Sequence, residues 1–475
     1  MAYEIVIGLE VHCQLATESK IFAPEANQFG VAPNHQTSLI TLGLPGVLPK
    51  LNKKAIELAV KMGLACHSTI QQQTYFDRKN YFYPDLPKGF QTSQDKQPIC
   101  IGGEVPIWLR RGKEFEKRTV ALHHMHLEED AGKSVHEGDD LYTRLDYNRA
   151  GTPLIEMVTE PSIHSAEEAG AFLSEIRKLV RFLGISDGNM EEGSLRADLN
   201  ISLRPAGSQT LGTKVEIKNM NSIRHLQRAV EFEAQRQAAL LDSGQDIVQE
   251  TRSFDPGSGT TKSMRVKETM NDYRYFPEPD LAPIHIANET LAGWVAEASL
   301  RPSDWFERFQ MEYGLSAEQA FVLSEEREQV QYFLDLVAKA PYPKTAANWI
   351  LTTLRGVEGA LARIPAHRLA ELIELVEDGL ISHTVATQQL FPALLNDPTV
   401  DPRTLAESSG WLQMSDTDLL QVWISDVLTQ QQDKVAAYRK GKKGLLGLFV
   451  GEVMKKSKGS ADPKRVNELI LKSLQ

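Results

Sequence analysis

The sequence predicts an α+β fold: strands to about residue 290, then helices to the end. Three observations carry this. Leu195, Ala197, Leu199, Ile201 and Leu203 alternate with Ser194, Arg196, Asp198, Asn200, Ser202 and Arg204. Successive strand side chains point to opposite faces, so this run is a strand with one apolar and one polar face. After a Pro, Gly and Ser loop (205–212), Lys214-Val215-Glu216-Ile217-Lys218 alternates again, which makes the pair a hairpin. Beyond Pro277, Pro279 and Pro283 the spacing of apolar residues turns helical.

Taken in order, residues 3–15 predict a strand. Ile5, Ile7, Leu9 and Val11 form one face; Gly8, Glu10, His12 and Gln14 form the other. Glu10 and His12 emerge side by side, an arrangement that can share a divalent cation, although a surface Glu–His pair is commoner. Pro and Gly at 42–52 lead into an amphipathic helix, 53–66. FDRKNYFYPDLPKG (76–89) sets four aromatics beside Asp77, Arg78, Lys79, Asp85 and Lys88; such a run either stacks on a base or packs as core.

HHMHLEEDAGKS (123–134) ends like a P-loop, but Leu127 stands where the first glycine is needed. In GSQTLGTK (207–214) the Thr and Lys are reversed, so there is no Walker loop. ATP use would then rest on carboxylate-held Mg²⁺. Residues 142–161 read as strand, glycine turn, strand, adding Asp146, Asn148 and Glu156. Amphipathic helices follow at 165–183 and 222–241, with a hairpin at 251–268. In the helical part Ser316 and Gln319 form a capping box, 367–380 and 416–428 keep helical spacing, and Asp462-Pro463 opens a last helix.

A chain of 475 residues predicts two or three domains. No apolar run reaches the ~20 residues that span a bilayer. Cys13, Cys66 and Cys100 are too few and too scattered for a disulfide framework or a CxxC zinc site, and Glu4 stands where a secretory signal would be positive. A reducing cytoplasm is expected. The net charge of −11 hides a basic tail: residues 434–475 hold eleven Lys or Arg against three acids. That tail either binds a polyanion or is a solvated helical surface; glycines between its lysines favour phosphate contact.

The polar face of the hairpin joins Arg196, Asp198 and Asn200 to Lys214, Glu216 and Lys218. Such a mixture suits a metal-and-phosphate site and also a solvated sheet face. Glu10, His12, Glu128, Glu129, Glu191, Glu192, Asp198 and Glu216 make an oxygen-rich set with one imidazole, which suits Mg²⁺ better than zinc. Arg196, Lys214 and Lys218 would meet phosphate. No nucleophile signature is present. The residues favour metal-assisted phosphoryl transfer.

IGLEVHCQL, FDRKNYFYPDLPKGFQTSQ, LEEDAGKS, YNRAGTPLIEMVTEP, MEEGSLRADLNISLRP, VEIKNMNS, RVKETMNDYRYFPEPDL and VGEVMKKSKGSADP, in this order, resemble GatB, the B component of the Asp/Glu-tRNA amidotransferases. The resemblance implies a β-rich cradle (1–290), a helical domain (291–405) and a YqeY-like tail (406–475). It implies that ATP activates the side-chain carboxylate of Glu-tRNA(Gln) or Asp-tRNA(Asn) as an acyl phosphate. Ammonia then amidates it. The ammonia would come from a separate amidase, the A component of a heterotrimer whose small C component braces the pair. By motif position the resemblance places Mg²⁺ and ATP at Glu10, His12, Glu129, Asp198 and Glu216, with Glu156 a further ligand. It puts a polar ammonia passage at Lys79, Lys88 and Glu129. For tRNA the basic tail offers Lys440, Lys442, Lys443, Lys455, Lys456 and Lys458. Some members carry a CxxC before the LPG motif; here those positions are Ser38 and Thr41, so zinc is not expected. The alternatives are a tRNA-binding scaffold without its own chemistry and a ligase acting alone.

Overall fold

The computed structural model describes residues 2–135, 142–266, 273–296, 300–412, 417–457, 461 and 463–474. By contacts the chain divides into residues 1–305 and 306–475.

The first unit is built on one large sheet. Its principal strands are β1 (Tyr3–Gln14), β2 (Asp77–Asn80), β3 (Phe90–Ser93), β4 (Glu114–Glu129), β5 (Pro153–Thr159), β6 (Leu195–Pro205), β7 (Val215–Met220), β8 (Glu250–Asp255) and β9 (Thr260–Val266). They lie side by side in the order β9-β8-β7-β6-β1-β5-β4-β3-β2. The predicted hairpin is β6–β7, and the 251–268 hairpin is β8–β9. Among the described strands only β7 and β8 pair in parallel, because a helix, Ile223–Asp242, carries the chain between them.

Alternation decides what each face does. Ile7, Leu9, Val11 and Cys13 of β1, Leu195, Ala197, Leu199 and Ile201 of β6, Ile155 and Met157 of β5, and Met125 and Leu127 of β4 are all buried in one core. Three helices take part in that core: α1 (Lys53–Ala65), α2 (Ala166–Phe182) and α3 (Ile223–Asp242). Each fully buried Leu or Ile contributes about 1.5–3 kcal/mol. Local signals set the helix starts. Asn52 accepts from the backbone N–H of Lys54, and Ser165 accepts from that of Glu168. The opposite face of the sheet carries Glu10, His12, Glu156, Arg196 and Asp198.

Helix α4 (Asn288–Ala296) begins where a boundary near residue 290 was expected, yet Leu291 and Trp294 pack on the core of the first unit. The second unit is helical. Its capping box is formed in both halves: Ser316 Oγ accepts from the Gln319 N–H and Gln319 Oε1 from the Ser316 N–H. Its last helices, Thr417–Gln430, Leu446–Lys456 and Pro463–Leu474, share a separate core around Phe449, Val453 and Ile470. The predicted cap at Asp462 lies outside the described residues. Among the described residues no helix is long and apolar enough to cross a membrane.

Candidate functional site

Register builds the site. Glu10 of β1 stands opposite Asp198 of β6, His12 opposite both Arg196 and Glu156, and Glu156 opposite His126 of β4. Two groups result among the described residues, each with ligand atoms within 4.8 Å of one another: His12, Glu128 and Glu156; and Glu10, Asp198 and Glu216. The pairing of β6 with β7 shifts by one residue at Asp198, a bulge of the kind that re-aims side chains near active sites. Lys218 then bridges two acids, at 2.6 Å from Asp198 and 2.5 Å from Glu216.

In the first group His12 Nε2 lies 3.2 Å from Glu156 and 3.9 Å from Glu128, and His126 Nε2 lies 3.5 Å from each acid. Ser93 of β3 donates to Glu128. Burial alone would depress His12, but Glu156 above all lifts its pKa to about 9. His126 rises for the same reason against the same burial penalty. Burial would raise Glu156, yet His12 and His126 hold it well below the carboxylate range. In the second group, burial and the charges of Glu156 and Asp198 push Glu10 up. Buried carboxylates this close need a positive charge among them.

The donor set fits a hard divalent cation. It is carboxylate-rich, with His12 the one imidazole of the first group and His126 beside its two acids, and no cysteine faces it; Cys13 lies on the core face of β1. The Nδ1 atoms of His12 and His126 are buried without a hydrogen-bond partner among the described residues.

Several expected residues stand elsewhere. Glu129, expected among the metal ligands, follows Glu128 on β4 and points to the other face; Glu128 takes the place beside His12. There Glu129 accepts from the Thr92 N–H at 2.8 Å and pairs with Lys88. The two line a cavity of about 190 Å³ with Lys20, Phe22, Thr41, Arg78 and Glu278. Lys79 is expected to join them, but it alternates with Arg78 on β2 and sits on the metal face. Its ammonium lies 5.0 Å from the Tyr273 ring centroid, and its charge helps lower Glu156.

Arg196, expected at phosphate, gives both terminal nitrogens to Asp130, at 3.0 and 3.1 Å. What it adds to the site is a fixed charge beside His12. Lys214 lines a further cavity of about 300 Å³. Glu191 and Glu192 sit in an exposed turn outside both groups. Asp146 and Asn148 tie the backbone at Asn34 and Gln36. Phe76 is core, whereas Phe82 and Tyr83 are exposed. Ser38 Oγ accepts from the Thr41 N–H. In the tail Lys440, Lys442, Lys443, Lys455 and Lys456 are exposed; Lys443 covers the Tyr438 ring and Lys456 pairs with Asp426. Lys458 and residues 267–272 of the RVKETMNDYRYFPEPDL motif lie outside the described residues.

Sequence reasoning missed His126 and Asp130 as participants and misassigned the face of Glu129. The signal was there: His124, His126 and Glu128 are spaced two apart, and Glu129 is out of phase with them.

Residues 5–292 match the family model described as the GatB/GatE catalytic domain, and residues 331–474 match the GatB domain. Among relatives named as the B component of aspartyl/glutamyl-tRNA(Asn/Gln) amidotransferase, one from Synechococcus sp. (strain JA-3-3Ab) is 47% identical over 99% of this chain and 98% of its own. One from Thermosynechococcus vestitus is 47% identical over 100% and 97%, and one from Solidesulfovibrio magneticus 45% over 99% and 99%. With both models matched and nearly half of its residues shared from end to end, the chain belongs to the GatB family, the B component of the aspartyl/glutamyl-tRNA amidotransferases.

Proposed function

We propose that this chain is the activating component of a tRNA-dependent amidotransferase. ATP phosphorylates the side-chain carboxylate of Glu-tRNA(Gln) or Asp-tRNA(Asn), and ammonia then converts it to the amide. A carboxylate oxygen attacks the γ-phosphorus and ADP leaves; ammonia attacks the acyl carbon, phosphate leaves and the nitrogen gives up a proton. The reading rests chiefly on one observation: two ligand groups, each of buried and half-buried residues, share one face of one sheet.

Glu10, Asp198 and Glu216, and His12, Glu128 and Glu156, are the residues that would hold Mg²⁺. When bound, Mg²⁺ neutralises phosphate charge. The chain's own residues supply position and field. Arg196 and Lys218 keep positive charge at the margins of the two groups, and Lys79 adds a third cation on the same face. Lys214 is the phosphate contact left at the surface. Lys88 and Glu129 form the inner end of a polar passage for ammonia, delivered by a separate amidase with a small third protein beside it. The exposed tail lysines hold the tRNA body. The complex works in the cytoplasm.

The test is Gln-tRNA formation from Glu-tRNA, with Mg²⁺-dependent ATP hydrolysis, by the co-expressed complex given ammonium. Asp198→Ala and Glu216→Ala are each expected to abolish both signals. Full transamidation by both folded variants would show that the site lies elsewhere. Wild-type tRNA binding with neither signal would make the chain a scaffold.

A further inference from the structure

Glu216 reaches its group from β7, and the next strand fixes it there. β7 runs parallel to β8, with Glu216 opposite Thr251. Residues that stand opposite share a face of the sheet, so Thr251 emerges beside Glu216, while its neighbours Glu250 and Arg252 emerge on the reverse. Thr251 and Glu216 are both buried, and Thr251 Oγ1 donates to Glu216 Oε2 at 3.0 Å. The other oxygen, Oε1, is the one that meets Lys218.

The last torsion of a glutamate is broad and roughly two-fold, so an unheld carboxylate turns about its own end. Held at Oε1 by an ammonium and at Oε2 by a hydroxyl, this one has a fixed plane. Each oxygen still keeps a second lone pair for a cation. The hydroxyl is neutral, so it orients the acid without cancelling its charge as a second ammonium would. Thr251 is itself anchored through its neighbours. Arg252 donates to the hydroxyl and the carbonyl of Thr261, each at 2.8 Å, and pairs with Glu250. The Thr261 hydroxyl in turn donates to Glu233 of α3 at 3.0 Å, and Glu233, fully buried, pairs with Arg236. A strand tied to a helix in this way holds Thr251 in place before any ligand arrives.

We propose that Thr251 is a positioning residue for the divalent cation held by Glu10, Asp198 and Glu216, its hydroxyl setting the Glu216 carboxylate. This rests on the function proposed above, which puts Mg²⁺ in that group. Partners that orient a metal ligand are worth about 10–100-fold in metal affinity. A hydroxyl that served the fold alone would leave that affinity untouched.

Thr251→Val removes the hydroxyl and keeps the shape, and Thr251→Ser keeps the hydroxyl. The probe is Mn²⁺, titrated into the co-expressed complex without ATP or tRNA and followed by the electron paramagnetic resonance signal of the free ion. Asp198→Ala marks the ions bound by the Glu10 group, and His12→Ala marks those of the other group. Thr251→Val should raise the Kd of the first set about 10- to 100-fold and leave the second set unchanged. Thr251→Ser should restore wild-type binding. In ammonium-driven transamidation by the valine variant, the Mg²⁺ concentration for half-maximal rate should rise by the same factor, while kcat recovers at saturating Mg²⁺. Should valine not fold, Thr251→Cys, a weak donor, is read in the same way. Wild-type Mn²⁺ affinity in the folded variant overturns the proposal. So does a serine variant as weak as valine, which would assign the loss to packing of the methyl group. If Asp198→Ala removes no Mn²⁺, the function it rests on fails first; if it does and the Thr251 variants bind normally, only the role of Thr251 fails.

Discussion

Asp130 and Arg196 show how much of this site is held by residues that do no chemistry. Asp130 is buried and accepts from Gln14 as well as from both terminal nitrogens of Arg196. Burial would raise its pKa, but Arg196 and Arg149 hold it well below the carboxylate range. A depressed carboxyl pKa stabilises the fold above its unfolded value, and that stability is lost as pH falls towards the folded one. Asp130→Asn should therefore cost about 3–5 kcal/mol in urea unfolding at pH 7, with the gap to wild type narrowing in acid. Lys20 has the opposite sign. Its ammonium is buried and donates to the carbonyls of Gln36, Ala150 and Tyr147. Burial drives its pKa down from 10.5 to about 8, against the pull of Glu25, Asp146 and Glu129. Between those values the unfolded chain binds the extra proton, so stability rises with pH across this window. Lys20→Met should flatten that rise in a pH series of thermal melts. It should also destabilise at pH 7, because three carbonyls lose their donor.

At the scale of elements, the strands of the site were legible and their neighbours were not. Periodicity alone located β1, β6 and β7 and told which of their residues share a face. It did not say that β5 lies between β1 and β4, and so could not bring Glu156 and His126 to His12. The bulge that sets Lys218 between Asp198 and Glu216 depends on pairing, and pairing is not written in either strand. Lys79 and Glu129 were misplaced because motif position was followed where alternation should have been. The tail is the reverse case, since its charge is plain in the sequence and its exposure agrees. Replacing Lys440, Lys442 and Lys443 with alanine should weaken tRNA binding and reduce the slope of log K against log salt by about 2 to 3. An unchanged slope in filter binding would remove the tail from the tRNA contact.

The whole molecule has separate cores, one under the large sheet and another among the last helices around Phe449 and Ile470. Cores that share no residues melt independently unless something couples them. Scanning calorimetry of the free chain should show a calorimetric enthalpy above the van't Hoff value, and a variant such as Phe449→Ala should shift only part of the heat. Mg²⁺ should raise only the transition of the first unit, since ligand binding stabilises the structure that holds the site.

The C-terminal end of β4 works as a partition one peptide thick. Glu128 answers to one compartment and Glu129 to the next. Substitutions along β4 change what either compartment contains, but adding or removing one residue within it would exchange the two acids at a stroke. Length is free to vary at Gly112 and Lys113, the turn between β4 and the antiparallel strand Glu104–Arg111, before the partition begins, and a scan of single-residue deletions along β4 would find its edge.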